Sequence, residues 1–327
     1  MRLLKLVPDN TNIGFVRLRR WAFAITLCLS LASVALVFAR GLNLGVDFVG
    51  GLMIEAKFAG PAPLDAIRGK IDSLGVGEAG VTGIGDAHTV SIRLPAPHST
   101  DEGANNALVT RVEGALTAAY PGVAFNRVET VSGKVSNELI WKGVLAVLLA
   151  IFGIAVFGII RFEWQFGVAT FVSILHDVLM TLGFFALTGM EFDLNIVAAV
   201  LTIVGYSIND KIVIDDRIRE NLRKYRQMPI GELIDLSVNE TLPRTVMTSL
   251  TILLALFALF FFGGHVLKGF TAAMILGVIV GTYSSIYVSS SLLITLGLDA
   301  ARTRQVRAPA NSKKAARDRA ERIAPKP

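Results

Sequence analysis

Six long apolar runs dominate the sequence, and each is near the length needed to cross a bilayer. A hydrocarbon core of about 30 Å takes roughly 20 residues of helix, and residues 21–39, 139–160, 164–187, 194–214, 245–262 and 269–298 answer to that description. A chain carrying six such runs cannot hide them all inside a water-soluble core. The remaining composition agrees: 53% of the 327 residues are hydrophobic and 18% are charged, against about a quarter charged in ordinary soluble domains. A soluble enzyme and a disordered protein are both excluded, and an α-helical integral membrane protein with six transmembrane helices is expected. The first run follows Arg17, Arg19 and Arg20 as a signal peptide would, yet it is long and has no clear small-residue cleavage site, so it reads as a retained helix. The last run is long enough to tilt or to extend past one interface.

Between the first and second runs lies a segment of ordinary composition, residues 40–138. Its pattern predicts a strand at 52–58, a helix at 64–74, a strand at 81–84, a Gly85-Asp86 turn and a strand at 89–94. A Pro, Ser and Gly-rich loop, a helix at 105–120 and a strand at 123–130 follow. That order, βαββαβ, predicts a ferredoxin-like α+β domain.

Lys and Arg in short flanks set orientation. They gather at the N-terminus (Arg2, Lys5, Arg17, Arg19, Arg20), at Arg161, in residues 215–244 and in the tail, while residues 188–193 have none. The expected layout is a cytoplasmic N-terminus (1–20), a first helix (21–39), a periplasmic domain (40–138), a five-helix membrane domain (139–298) and a basic cytoplasmic tail (299–327). Residues 215–244 balance six acids with six bases and are expected to lie as short helices at the cytoplasmic surface, their charges solvated.

The formal net charge of +6 is local. After residue 300 nine Lys or Arg face Asp318 and Glu321, so the rest of the chain is close to neutral. The basicity therefore marks topology and contact with anionic lipid, and no nucleic-acid partner is expected. Cys28, the one cysteine, excludes an intrachain disulfide and a cysteine-based zinc site. His88, His98, His176 and His265 are scattered, and no phosphate loop, nucleophile elbow or zinc motif is present. No catalytic residue, metal or cofactor is expected, and the chain does not read as an enzyme.

The informative charges are those inside the runs, since an ionised side chain at the bilayer centre costs at least about 2.5–3.5 kcal/mol. Asp210 lies sixteen residues into the fourth run, about 24 Å from its outer end. Arg244 enters the fifth run from the cytoplasmic side, so an ion pair between them is expected. Desolvation and a neighbouring cation act on a carboxyl in opposite senses. A movement that parts the pair would load a proton on Asp210, and one that rejoins it would expel the proton. The alternative is a static bridge pinning two helices, or an Arg244 that snorkels to the headgroups.

His176 and Asp177, adjacent in the third run, point about 100° apart. Asp177 either relays a proton or caps a hydrogen-bond network with Ser173, Thr181 and Asn209. Thr202, Ser207, Thr248, Thr251, Thr282 and Ser285 read as packing contacts, as does the Gly277/Gly281 pair, whose spacing lets helices approach closely.

Five motifs stand in order: Gly41-Leu42-Asn43-Leu44-Gly45-Val46-Asp47-Phe48-Val49-Gly50-Gly51; Tyr206-Ser207-Ile208-Asn209-Asp210; Asp215-Asp216-Arg217-Ile218-Arg219-Glu220-Asn221; Thr241-Leu242-Pro243-Arg244-Thr245; and Phe262-Gly263-Gly264-His265-Val266-Leu267-Lys268-Gly269-Phe270. Across residues 15–298 this set resembles the SecF branch of the SecD/SecF family of protein-export membrane subunits. One long outer loop followed by five closely spaced helices is also half of the resistance-nodulation-division architecture that the family shares.

The resemblance implies a partner SecD, association with the SecYEG channel and with YajC and YidC, a preprotein substrate, and use of the proton-motive force in late translocation. It maps the family's intramembrane acid onto Asp210, its basic partner onto Arg244 and a His-Asp pair onto His176 and Asp177, with Asn209 beside them. Gly45, Asp47, Phe48, Gly50, Gly51, Asp216, Arg217, Glu220, Gly263 and Gly264 become motif residues. Three positions depart from the family pattern: Lys211 where Ser or Thr is usual, Asp215 where an apolar residue is common, and Val46 in place of Leu. Lys211 thereby competes with Arg244 as counter-ion of Asp210. The rival readings are half of a proton-driven efflux or lipid transporter, and a scaffold of the channel without ion coupling.

Overall fold

The structure is a computed structural model that describes residues 8, 11–77, 79–84, 86–95, 102–264 and 266–298. The expectations placed on Arg2, Lys5, Gly85, His98, His265, most of the loop after residue 94 and the tail at 299–327 lie outside those residues.

A single 3-10 turn, Val16–Leu18, leads into α1 (Arg19–Arg40). Trp21, Leu27, Leu31 and Phe38 of α1 project outward, as a bilayer-facing helix requires. The helix stops at Gly41, whose φ of 71° suits a residue without a Cβ. After the one-turn α2 (Val46–Val49) come β1 (Gly51–Lys57), α3 (Leu64–Asp72), β2 (Gly80–Gly83), β3 (Thr89–Leu94), α4 (Glu102–Ala119) and β4 (Ala124–Val131).

The four strands form one sheet in the order β2-β3-β1-β4, and every neighbouring pair is antiparallel. Alternation fixes the faces. Leu52, Ile54 and Ala56 of β1 sit opposite Leu94, Ile92 and Val90 of β3. Against that face close Ile67 and Ile71 of α3 and Val112 and Leu116 of α4, each pair one turn apart on its helix. Met53 and Glu55 point from the other face and are buried as well, because the sheet lies over the helical bundle.

The bundle consists of α5 (Gly133–Arg161), α6 (Trp164–Thr188), α7 (Leu194–Lys224), α8 (Ile230–Phe262), α9 (Lys268–Tyr283), a π-helical stretch (Ser284–Ser289) and α10 (Ser290–Thr295). All six expected runs fall in helices long and apolar enough to cross a membrane. Capping sets several ends. Ser132 accepts from Val135 N–H and starts α5 before its apolar run, α6 ends in a left-handed Gly189, and Asp193 accepts from Ile196 N–H to open α7.

One expectation fails. Residues 215–244 are not short surface helices: α7 and α8 run through them, leaving 225–229 as the connection. The charges there do not melt the helices because they pair along and between them. The run at 269–298 falls in one membrane-length helical span, Lys268–Thr295, with the π-helical stretch inside it.

α6, α7 and α9 form the interior, while α1, α5 and α8 keep most of their apolar surface outward. A Cβ on Gly277 would lie 2.3 Å from Ile203 Cγ1, and one on Gly281 3.0 Å from Ser207 Oγ. The two glycines therefore let α9 approach α7 closely, the packing role their spacing suggested.

Candidate functional site

Ser207, Lys211 and Asp215 repeat every four residues on α7, so they form one stripe along the helix. The Lys211 ammonium donates to Asp177 Oδ2 on α6 (3.2 Å), to Ser284 Oγ in the π-helical stretch (3.3 Å) and to Ser207 Oγ. Ser207 Oγ in turn donates to Asp177 Oδ2 at 2.5 Å. An ammonium has three N–H donors, and here each has an acceptor. Both charged side chains are 0% exposed. Taking such charges out of water is costly, so a pair persists there only when its hydrogen bonds are complete. Lys211 meets that condition; Asp177 Oδ1 is left without a protein partner.

The local geometry explains why Lys211 turns this way. Side chains on a helix lean toward its N-terminus, which carries Lys211 back along α7 toward Ser207 and Asp177. The π-helical stretch, a form common at functional positions, carries Ser284 to the third N–H.

Asp210, the carboxyl expected to carry a proton, is buried with Oδ2 unpartnered. The expected ion pair with Arg244 is not formed. Arg244 is exposed on α8, and both it and Lys211 act on Asp210 electrostatically without a contact. The reason is angular: Lys211 faces α6, while Asp210 lies about 100° round the helix on the stripe of Tyr206, whose hydroxyl meets Ser249 of α8 at 2.9 Å. Ser249 continues to Thr282 of α9 at 2.8 Å. Lys211 is thus the counter-ion of Asp177, not of Asp210.

His176 and Asp177 do diverge. His176 Nδ1 lies 2.9 Å from Ser30 Oγ of α1, while Asp177 faces α7. The proposed Asp177 network with Ser173, Thr181 and Asn209 is absent: Thr181 donates to the Asp177 backbone carbonyl, Ser173 Oγ is unpartnered and Asn209 is exposed. The partners are Ser207, first read as a packing contact, and Ser284. The four-residue repeat on α7 and the serines at 284, 285 and 289–291 were the available signals.

The glycine-rich motif forms the joint between sheet and bundle. Gly45 N–H donates to Phe192 O, and a Cβ there would meet Glu191 Oε1 at 2.9 Å and Asp193 Cβ at 3.2 Å, so a side chain would force these neighbours to shift. Asp47 Oδ2 accepts from Leu194 N–H at 2.9 Å, placing a carboxylate at the positive end of α7. Phe48 packs on Phe192, which packs edge-on to Phe185. Gly50 and Gly51 both have positive φ, 77° and 116°, and turn the chain into β1. Arg93 closes the joint from β3: it bridges Glu191 at 3.2 Å and donates to Asn43 Oδ1 and Leu44 O. Burial raises the Glu191 carboxyl above its ordinary range, and the Arg93 charge partly offsets this.

At the opposite end of the bundle Asp216 faces Arg161 at 3.6 Å. Arg217 bridges Glu240 of α8 (2.7 Å) and Glu220 (2.6 Å), and Asn221 donates to Glu240 and Ser237. Gly263 ends α8, where a Cβ would strike Leu259 O, and Gly264 follows with a φ of 78°. These motif residues join elements and do not meet the Lys211 cluster. No group of metal-ligating side chains occurs among the described residues.

Comparison with known proteins follows the same two regions. Residues 111–299 match the family described as protein export membrane protein SecD/SecF, C-terminal, and residues 35–62 match the SecD/SecF GG motif. The chain is 42% identical over 302 residues to a protein translocase subunit SecF of Cereibacter sphaeroides, covering 90% of this chain and 93% of that one. It is 39% identical to the SecF subunit of Rickettsia rickettsii, covering 89% and 94%. The crystal structure of SecDF, a translocon-associated membrane protein from Thermus thermophilus, superposes with a TM-score of 0.80 at 37% identity and covers 89% of this chain. A SecDF structure in a super-membrane-facing form gives 0.65 at 35% identity over 94% of this chain. The chain spans 39% and 40% of the length of those two SecDF chains. On the glycine-rich joint, the membrane helices and the relatives alike, the chain belongs to the SecD/SecF family of protein export membrane proteins.

Proposed function

We propose that this chain is the SecF-type auxiliary subunit of the Sec translocase in the bacterial inner membrane, that it works with a SecD subunit, and that protons drive it. The near-complete overlap with subunits named SecF supports the first part. Solved SecDF chains more than twice this length support the second, since they leave room for a SecD-like half.

One observation carries the third part: Asp210 is a buried carboxylate with no protein partner at Oδ2, on a membrane-spanning helix whose neighbouring Lys211 is already committed to Asp177. Such a carboxylate is cheapest to keep as the neutral acid. Movement of the exposed Arg244 toward it, or of Asp210 toward water, would release the proton. One elementary charge crossing 100 mV supplies about 2.3 kcal/mol, enough for one or a few protons to drive a modest rearrangement of helices.

In this reading both termini are cytoplasmic, and residues 40–138 form a periplasmic domain that meets emerging preprotein beside the SecYEG channel, with YajC and YidC as associates. The sheet order β2-β3-β1-β4, with its two crossover helices, supports the ferredoxin-like description of that domain. The test is preprotein export into membrane vesicles containing this chain and its SecD-type partner. Asp210→Asn is expected to abolish the gain that a proton gradient gives while leaving export without a gradient unchanged. An undiminished gain would leave the chain as a scaffold without ion coupling.

A further inference from the structure

Between the sheet face that carries Met53 and Glu55 and the helix ends beneath it lies a cavity of about 350 Å3. That is the small end of the roughly 300–1,000 Å3 of ligand sites, too little for a helix or a folded partner and enough for a small polar group. Its roof is the sheet, and its floor is the end of α6 and the starts of α7 and α9.

Most of the charge that lines the cavity is already matched. Arg93 holds Glu191. Arg127 turns to Glu129 on its own strand, although Glu55 lies directly opposite it on β1. Asp193 accepts from Ile196 N–H and from the Asn195 amide. One acid and one base are left over. Glu55 is 5% exposed, and it accepts one hydrogen bond, from Asn126 at Oε1 (3.2 Å), with no cation among the described residues. The Lys268 ammonium, on the first residue of α9, has no hydrogen bond or ion pair among the described residues, so the two do not pair with each other. A buried carboxylate with so little compensation is costly. The lining is therefore short of a cation that can donate to Glu55 and of an anion beside Lys268.

We propose that this cavity binds the headgroup of a zwitterionic phospholipid carrying a primary ammonium, with the ammonium donating to Glu55 and the phosphate accepting from Lys268. Depth favours a lipid over a length of polypeptide. The spans end at Thr188 and begin at Leu194 and Lys268, so the floor lies in the headgroup layer that borders the hydrocarbon core. Leu187, Leu194 and Val266 beside it are exposed and give acyl chains an apolar way out. An anionic headgroup without an ammonium answers Lys268 and leaves Glu55 unmet. Choline has no N–H to donate and is recognised by aromatic cages, whereas Phe270 is the one aromatic among the described lining residues. Glu55 belongs to β1 and Lys268 to α9, so an occupied site ties the sheet to the bundle through a membrane lipid. This inference does not depend on proton coupling.

The test is native mass spectrometry of the full chain with its SecD-type partner, released from vesicles holding equal amounts of phosphatidylethanolamine, phosphatidylglycerol and phosphatidylcholine. Phosphatidylethanolamine is expected to be retained in preference to the other two. Glu55→Gln should weaken its retention by about tenfold, the loss of roughly one charge-assisted hydrogen bond, and leave phosphatidylglycerol unchanged. Lys268→Gln should weaken retention of both. That split between two lipids is one that a general loosening of the fold does not produce, and Lys268, having no partner, can be replaced without breaking a contact. Asp210→Asn should retain the lipid, which separates this inference from the fate of the Asp210 mechanism. Equal retention of the three lipids overturns the inference, as does retention that neither Glu55→Gln nor Lys268→Gln alters. Displacement of the lipid by soluble phosphoethanolamine alone, or a photocrosslinker at Thr82 that captures preprotein in place of lipid, overturns it as well.

Discussion

The bundle holds its charges in two ways. In the interior, Lys211 and Asp177 are fully buried, and the ammonium has no N–H donor to spare. At the far end of α7, Arg217 shares two carboxylates, one of which Asn221 also contacts, and the side chains of Arg217, Glu220 and Glu240 are 27–61% exposed. The interior cation is fixed by completeness, since all three of its N–H donors are used. End charge is redundant and solvated, so each of its contacts contributes little. An interior pair therefore specifies a position for α6 against α7, while the end pairs steady a connection that helix propensity and packing already favour.

The largest effect should come from breaking the interior pair on one side. Lys211→Met leaves Asp177 buried without its cation, and a loss of about 3–5 kcal/mol is expected, measured by denaturant unfolding in detergent micelles. Adding Asp177→Leu to the same chain should restore most of that loss, because two apolar side chains owe no desolvation. A double variant as unstable as the single one would show that the pair is not the unit.

Next comes the joint, intermediate in burial. Arg93→Ala removes the Glu191 bridge and two further hydrogen bonds, and hydrogen exchange in β1 and β3 should quicken as if about 1–3 kcal/mol were lost. The joint also predicts a pH dependence. Burial raises Glu191 above its ordinary 4.5, so between 4.5 and the raised value the folded state binds more protons than the unfolded one. Stability is then full below that window, falls as pH rises through it and is level above it. Glu191→Gln should flatten this slope in a pH series of thermal unfolding, and a slope that persists assigns it to another group.

The smallest effect is expected at the end of α7. Arg217→Ala should cost about 1 kcal/mol or less, seen as a small shift in melting temperature that shrinks with added salt. A larger loss would mean that the end network, not the interior pair, holds the helices in register.

What the sequence made legible follows from what is periodic. The six spans and the strands of the sheet were readable because hydrophobicity repeats along them, and the cost of charge in a membrane singled out Asp210 and Asp177. Contacts between helices were not readable. Asp210 and Arg244 have compatible depths, yet depth says nothing of rotation, and one residue of rotation gives the cation at 211 to Asp177. The ends of α7 and α8 were misjudged because a balance of six acids and six bases looks like a solvated loop, whereas pairing across the two helices keeps it helical. The π-helical stretch leaves no mark in hydropathy, and Asp47 as a cap for α7 joins residues too far apart in the chain to be paired by spacing.

The wide turn at Ser284–Ser289 has a mechanical consequence. A π turn takes up one residue more than an α turn, so everything beyond it is rotated by about 100° from the phase α9 alone would dictate. That rotation seats Leu293 and Leu298 in the lower core beside Phe166 and Ile218, and the same turn brings Ser284 to the Lys211 ammonium. One stretch of backbone thus links the Lys211 cluster in the interior to the apolar core at the charge-rich end of the bundle.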